Sequence, residues 1–595
     1  MTYYESPFYR VGGYGIRSRR SRHAPLVALI TTALALAGCS EDDADPPVQE
    51  TDAPTLTMTP TNTKTLRFEW DDNGAATRYR LLVNPDGASG YSLAAGFSGP
   101  RDRYDQVVFL PDRLNAAYML EACNSRGCAS SEAVYVSGGL NQAIGALRRD
   151  DNTVNGYFGT DVALSADGST LAVGTPGDEG ADGTVAYAGA VQVFRRDGAD
   201  WSREAVLRAD HPGQYDQLGE ALALNADGTV LAAGAVRESS DATGINGDGA
   251  NDNAANSGAA YVFRRDGDAW HQEAYIKADN TDAGDYFGFD LALSDSGDRL
   301  AVGAPFEASG VAGDGDDNGA SQAGAVYLFH QDGGTWAQES YLKASNLAAS
   351  DWFGHQVALS GDGTVLAANA LREASAATGV NHEQNDDTAA TAGAVYLFRL
   401  NGGWNQDAYI KASNTESADN FGRSLALNRD GDTLAVGANQ EDSDGDGVDA
   451  GQADNGALSS GAAYVFRHNG SAWAQSAYVK AANSDADDGF GFRVALDAAG
   501  ETLAVSAQGE QSTAAGIDGA QADNAADGAG AVYLFRLDGG VWTQRHYLKA
   551  PTPDSDDRFG QGLALAADGD TLAAGAPNDD GTGNGASNSG AVFVY

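Results

Sequence analysis

The sequence predicts an all-β fold: a seven-bladed β-propeller of four-stranded blades, its last blade closed by an N-terminal strand, preceded by a small β-sandwich. Three observations predict it. One phrase recurs along most of the chain, seen best as FGFDLALS, DRLAVGAP, a long loop, GAVYLF and YLKA between Phe287 and Ala344. Inside the phrase, apolar and polar residues alternate over short runs bounded by Gly, Asp or Asn, which is the period of a half-buried strand. No window carries an apolar stripe at helical spacing.

Residues 1–39 read as a targeting segment. Arg17, Arg19, Arg20 and Arg22 form a positive region ahead of an apolar run from Pro25 to Leu36. Leu36-Ala37-Gly38-Cys39 resembles a bacterial lipobox. That resemblance implies cleavage before Cys39 and attachment of diacylglycerol to its sulfur; Ser40 after it implies the outer membrane. An ordinary signal with a chance Cys, or a start later than Met1, are the alternatives. Residues 40–54, SEDDADPPVQETDAP, read as an acidic flexible tether. Nothing later approaches a membrane-spanning length, so the chain is expected to be anchored at the outer membrane or cell surface rather than spanning.

Residues 55–137 have a different texture, with LRFEW, TRYRLLV, QVVFL, AYMLEACN and AVYVS spaced by turn signals as in a small sandwich. Trp70, Tyr79 and the run Tyr118–Asn124 resemble a fibronectin type III domain. Cys123 and Cys128 stand five residues apart across a Gly-containing turn, spaced to clip a hairpin by a disulfide in an oxidising compartment. A metal pair is the rival reading, but no His or further Cys lies nearby.

From 138 to 595 the phrase repeats. In the copy at Phe287 the four runs are Phe287–Ser294, Arg299–Pro305, Gly324–Phe329 and Trp336–Lys343. Tight turns around Asp295–Gly297 and Asp332–Gly334 join them in antiparallel hairpins. Such a unit of 60 to 69 residues cannot bury its faces alone and must stack against neighbours. Its opening dipeptide counts the copies: Phe158-Gly159, Leu218-Gly219, Phe287-Gly288, Phe353-Gly354, Phe421-Gly422, Phe490-Gly491 and Phe559-Gly560, seven in all. The small residues of LAVGA suit sheets packed near a crowded axis. Six tryptophans from Trp201 to Trp542 open the fourth runs, where outer-strand packing is a better reading than ligand stacking. The seventh copy stops at Tyr595 after its third run, and Ala143–Arg149 matches a fourth run, so it is expected to complete that blade and leave no open edge.

The phrase resembles the FG-GAP repeat of integrin α-subunit propellers and their bacterial relatives. The FG pairs carry the resemblance, with Gly303-Ala304-Pro305, Gly575-Ala576-Pro577 and the weaker Gly174-Thr175-Pro176, over roughly three quarters of the chain. Elsewhere the motif drifts to Gly437-Ala438-Asn439 or Ser506-Ala507-Gln508. The family's calcium sits in an Asp-rich hairpin between the FG and GAP strands; here only short turns such as Asn428-Arg429-Asp430-Gly431-Asp432 stand there, so that site reads as truncated.

Charge narrows function. Acidic residues number 83 against 37 basic, a net of −46, which disfavours nucleic-acid binding. A solvated surface is the default reading, cation binding the other. Loops between second and third runs are long, for example 306–323, 439–460 and 508–529, and share one end of the ring with acidic connectors. Two of them hold D-x-[DN]-x-[DN]-G: Asp442-Ser443-Asp444-Gly445-Asp446-Gly447 and Asp314-Gly315-Asp316-Asp317-Asn318-Gly319. Alternate oxygens on a Gly turn suit Ca²⁺. Ala453 and Ala325 occupy the position of the bidentate acid, with Asp449 a substitute in the first loop. Ordinary solvated turns are the rival reading. The eight histidines are scattered and none recurs beside a Ser or Cys nucleophile, so an enzyme is not expected. The expectation is a monomeric, lipid-anchored binding or adhesion protein that recognises a protein or glycan through its acidic end; an envelope assembly component is the alternative, and a polysaccharide-active enzyme the weakest.

Overall fold

Apolar residues of the repeat are drawn into short strands whose second member is buried on both faces, and the sheets stack accordingly. The computed structural model describes residues 51–61, 63–71, 74–136, 139–150, 153–180, 182–198, 200–581 and 585–595. The proposed lipidation site Cys39 and residues 40–50 of the tether lie outside them. Among the described residues the helical elements are two short turns, Pro111–Arg113 and Leu140–Ala143; everything else regular is β.

Seven four-stranded antiparallel sheets follow one another along the chain, numbered here 1 to 7. Sheet 3 is representative: Leu291–Leu293, Arg299–Ala304, Ala325–Asp332 and Thr335–Leu342 lie side by side in chain order. Second strands are buried throughout, as in Thr433–Ala438 of sheet 5, because neighbouring sheets cover both faces; hence their small side chains. Third strands are buried for five residues and then emerge into solvent. Sheet 7 takes its fourth strand from the other end of the repeat region: Gly145–Leu147 pairs antiparallel with Ala591–Val594.

The sheets form a closed cycle. Each first strand packs on the first strand of the next sheet, and that of sheet 7 on that of sheet 1. At the hairpin end, amides and carbonyls run head to tail around the axis: Ala166 donates to Ala226, Ala226 to Asp295, Asp295 to Gly361, Gly361 to Arg429, Arg429 to Ala498, Ala498 to Ala567, and Ala567 back to Ala166, at 2.8–3.3 Å. At the other end, parallel bridges join Gly324 to Phe353 and, across the seam, Gly590 to Phe158.

Close approach explains the glycines of the repeat. A Cβ on Gly303 would stand 2.0 Å from the carbonyl oxygen of Gly354 in the next sheet, and Gly575 meets Gly159 in the same way at 2.0 Å. Sheets 4 and 6 carry Asn369 and Ser506 at this position. Asn369 Nδ2 bridges to the next sheet, donating to Gly422 O at 2.7 Å, whereas Ser506 Oγ accepts the Arg493 amide of its own sheet at 3.0 Å. The short turns between first and second strands are closed by their own side chains; Asn428 Oδ1 accepts the amides of Asp432 and Thr433 at 3.0 and 2.9 Å.

Ahead of the cycle lie two smaller sheets. Leu56–Thr61, Thr65–Trp70 and Arg103–Val107 form one. Ser92–Ser98, Arg78–Asn84, Ala117–Asn124 and Gly127–Ser130 form the other, with Val134–Tyr135 added to it. Phe68, Trp70, Tyr79 and Tyr118 fill the space between them. Cys123 and Cys128 face each other across the last hairpin and are joined by a disulfide. This core continues through Leu140, Ala143 and Ile144 into Ile517 and the apolar faces of sheets 6 and 7. Lys64 reaches Thr571 Oγ1 at 2.6 Å, and His546 bridges Asp112 and Asp518 at 3.3 and 3.0 Å.

The glycine contact makes a clear prediction. Gly303→Ala forces a Cβ into backbone that has no rotamer to yield, and should destabilise the chain by about 3 kcal/mol in denaturant unfolding. A substitution of the same size at Gly333, where a Cβ meets nothing within 4 Å, should cost only the strain of its positive φ.

Candidate functional site

The long loops and the acidic connectors emerge at the end of the ring where the FG dipeptides stand, and what holds them there is a buried polar network repeated in sheets 2 to 6. Lys277, Lys343, Lys411, Lys480 and Lys549, just past each fourth strand, have fully buried side chains. They pair with Glu238, Glu307, Glu373, Glu441 and Glu510 at the root of each long loop, at 2.6–3.1 Å. Burial pushes each lysine below its ordinary pKa while the paired glutamate opposes that shift. A tyrosine two residues before each lysine donates to the same carboxylate, as Tyr478 does to Glu441 at 2.9 Å. In sheets 3 to 6 an asparagine from the preceding connector completes it: Asn414 Nδ2 donates to Glu441 at 2.9 Å, and Tyr464 OH donates to Asn414 Oδ1 at 2.7 Å. The network therefore ties one sheet to the next. At the seam its chemistry changes, with Asp178 held by Arg208 and Arg149, and Asp579 by Arg148.

Beside each network the connector supplies a buried aspartate. Asp216, Asp285, Asp351, Asp419, Asp488 and Asp557 each accept the backbone amide three residues earlier, as Asp419 accepts that of Glu416 at 2.9 Å. Burial is the main reason that each is pushed up to about 7, with a nearby carboxylate adding to it.

The loop residues expected to hold calcium have other partners. Asp442 Oδ1 accepts the amide of Ser459 at 2.7 Å, and Asp446 Oδ1 that of Ser484 at 3.2 Å. Asp449, at φ +55°, clamps the fourth strand: its amide donates to Tyr478 O at 2.8 Å and its carboxylate accepts the Tyr478 amide at 2.9 Å. Asn246, Asn381 and Asp518 make the same clamp in sheets 2, 4 and 6. Asp444 faces Asp454, and their hydrogen bonding raises the Asp444 pKa. In the other loop Asp314 and Asp316 are exposed, and Asn318 Nδ2 donates to Asp282 at 2.9 Å. Among the described residues, the group of three or more His, Cys, Asp or Glu side chains with ligand atoms within 4.8 Å of one another is Glu121 with Cys123 and Cys128, whose sulfurs are already joined. As arranged, Asp442, Asp444, Asp446 and Asp449 do not converge as the six to eight oxygens around Ca²⁺ must.

Sequence reading missed the positions flanking the FG dipeptide. The residue before it is left-handed in every sheet: Tyr157, Gln217, Tyr286, Trp352, Asn420, Gly489 and Arg558, all with φ between 53° and 65°. A bulky aromatic in that region is held there against its own preference. Tyr286 and Trp352 both pack edge-on against Phe306 at 5.0 Å, and Arg372 lies 4.6 Å over Trp352. The two residues after the dipeptide line the mouth of the axis, a cavity of about 130 Å³. They differ from sheet to sheet where the rest of the phrase repeats, and that local variability was the available signal.

The comparisons with known proteins follow the same register. Residues 270–329, 336–398, 404–466 and 542–595 match the FG-GAP repeat, each copy running from a fourth strand to the third strand of the next sheet. No curated protein matches the chain. Among solved structures, hydrazine synthase of Kuenenia stuttgartiensis is 14% identical over 72% of this chain and 94% of its own, with a TM-score of 0.41. The WD40 repeats of RRP9 are 11% identical over 76% and 96%, at 0.42, and the periplasmic gluconolactonase of Pseudomonas aeruginosa 11% over 80% and 98%, at 0.39.

Two predictions test the framework of this end. Lys480→Met leaves Glu441 buried without its cation and should cost about 3–5 kcal/mol, whereas Lys480→Met with Glu441→Gln should cost clearly less, read from unfolding of the single and double variants. The connector aspartates have folded pKa values raised from 3.8 to about 7, so their stabilisation is full below 3.8 and is lost as pH rises through about 7. Asp419→Asn, which keeps the acceptor for the Glu416 amide, should raise the melting temperature at about pH 8 and flatten its rise on acidification. The chain thus carries FG-GAP repeats in four places within its cycle of four-stranded sheets.

Proposed function

We propose that the protein is a lipid-anchored binding protein of the cell envelope, in which a seven-bladed propeller recognises a glycan through its loop-bearing end. In this reading the seven sheets are the blades, and the two small sheets form a fibronectin type III-like spacer between the anchor at Cys39 and the ring. Their strand order, three strands against a larger sheet, supports the spacer assignment. The observation that carries the function is the set of aromatics at Tyr157, Tyr286 and Trp352, held at positive φ one position before the FG dipeptides at the loop-bearing end. A sugar ring stacks on such faces while carboxylates and amides take its hydroxyls, and this end supplies both types. The acidic surroundings disfavour anionic polymers and favour neutral glycans. A protein ligand is the other occupant of the same surface.

Affinity electrophoresis of the purified chain through gels containing neutral or anionic polysaccharides tests the reading. Retardation by a neutral polymer, lost in Trp352→Ala and Tyr286→Ala while their melting temperatures stay near that of the parent, is the expected result. Unaltered mobility in every gel, with and without Ca²⁺, would overturn it and favour a structural role in the envelope.

A further inference from the structure

Around the mouth of the axis the signs of charge are sorted. Asp161, Glu220 and Asp290 come from sheets 1, 2 and 3, whereas Arg423 and Arg493 come from sheets 5 and 6, across the cycle. Among the described residues no ion pair within 4.0 Å joins these acids to these guanidinium groups. Asp161 and Asp290 each accept an amide from the adjoining sheet, Leu222 at 2.8 Å and Val357 at 2.7 Å. The Glu220 carboxylate makes no such bond.

On the other side the arginines are set by an aromatic ring. Phe492 lies 4.2 Å under the Arg423 guanidinium and 5.8 Å from that of Arg493. Arg493 is also fixed by Gln356 Oε1 at 3.2 Å and Gln561 O at 3.1 Å, while Arg423 has the stacking contact alone. Between the two sides stands His355, 7% exposed, whose Nδ1 has no hydrogen-bond partner. Opposite charges that line a half-buried cavity without meeting lose part of their hydration and gain no contact, and a dipolar occupant restores it. Burial accordingly pushes Asp290 up to about 7 and Arg423 down to about 9.

We propose that this cavity binds a small zwitterion of the α-amino-acid type, its carboxylate between Arg423 and Arg493 and its ammonium toward Glu220 and Asp290. The volume, about 130 Å³, equals roughly four waters at ~30 Å³ each, so the side chain is short and a peptide or disaccharide is excluded. Phe289 lines the same cavity and offers an apolar wall for that side chain. The site is independent of any glycan held by the aromatics outside it.

Isothermal calorimetry on the purified full chain tests the proposal, with glycine, L-alanine, acetate, methylamine and glycine betaine as probes at up to about 10 mM, enough to detect a millimolar Kd. Glycine or L-alanine should bind, and acetate or methylamine alone at least tenfold more weakly. Binding of betaine equal to that of glycine would overturn the part of the proposal in which carboxylates hydrogen-bond a primary ammonium. Glu220→Gln and Arg423→Gln should each weaken glycine binding at least tenfold, with Asp556→Asn on the same end unchanged. Absence of heat with every zwitterion, or binding indifferent to both variants, would refute the site. A melting temperature measured for each variant separates lost binding from lost folding; if Arg423→Gln does not fold, Arg423→Lys, which keeps charge but not the fork, takes its place and should also weaken binding.

Discussion

Backbone approach between neighbouring sheets is the constraint on which the rest of the structure depends. Gly303 and Gly575 bring second strands to within contact of the FG turn of the next sheet, a distance at which no Cβ fits. That spacing brings the first strands together around the axis and lets seven backbone hydrogen bonds close head to tail at the hairpin end. Pairing of Gly145–Leu147 with Ala591–Val594 covers the third strand of sheet 7 as fourth strands cover those of the other sheets, so no long third strand is left as an exposed edge. The sequence match follows the same logic: each FG-GAP copy spans the junction between two sheets rather than a single sheet.

With sheets locked at the axis, polar groups at the opposite end are trapped between them. The Lys–Glu pairs, the tyrosines above them and the connecting asparagines leave little unsatisfied, and they hold the roots of the long loops in one place. Such pairs are weak as sources of net stability, because burying both ions offsets most of their attraction. Their value lies in register. Each network admits one arrangement of loop root, fourth strand and preceding connector, and the end of the ring becomes a rigid platform on which variable residues are displayed. Aromatics at positive φ and sorted charges at the mouth occupy that platform where the repeat itself is silent.

The connector aspartates show how acidity is used here. A net charge of −46 is spread over the surface, yet six carboxylates are withdrawn from solvent, five beside the buried Lys–Glu pairs and Asp557 beside Asp579. Their shifts come from burial first and like charge second, so protonation near neutral pH relieves both. The loop-bearing end is therefore more sensitive to mild changes in pH than the solvated surface around it.

Strand, turn and repeat were legible in the sequence because each depends on local chemistry: alternation of period two, glycine at turns, and a phrase repeated at nearly constant spacing. The facing cysteines at 123 and 128 were legible for the same reason, being neighbours across one turn. The roles of the acidic loops were not. Asp442 and Asp446 sit in a pattern that suits a cation, but tertiary packing gives them backbone amides as partners, and Asp449 clamps a strand that lies 29 residues away in sequence. Nor does any single repeat hold the site at the axis. Glu220 and Arg423 are two hundred residues apart, and only closure of the ring sets them on opposite sides of one cavity, because charge sorting across an axis is a property of the cycle and not of any segment within it.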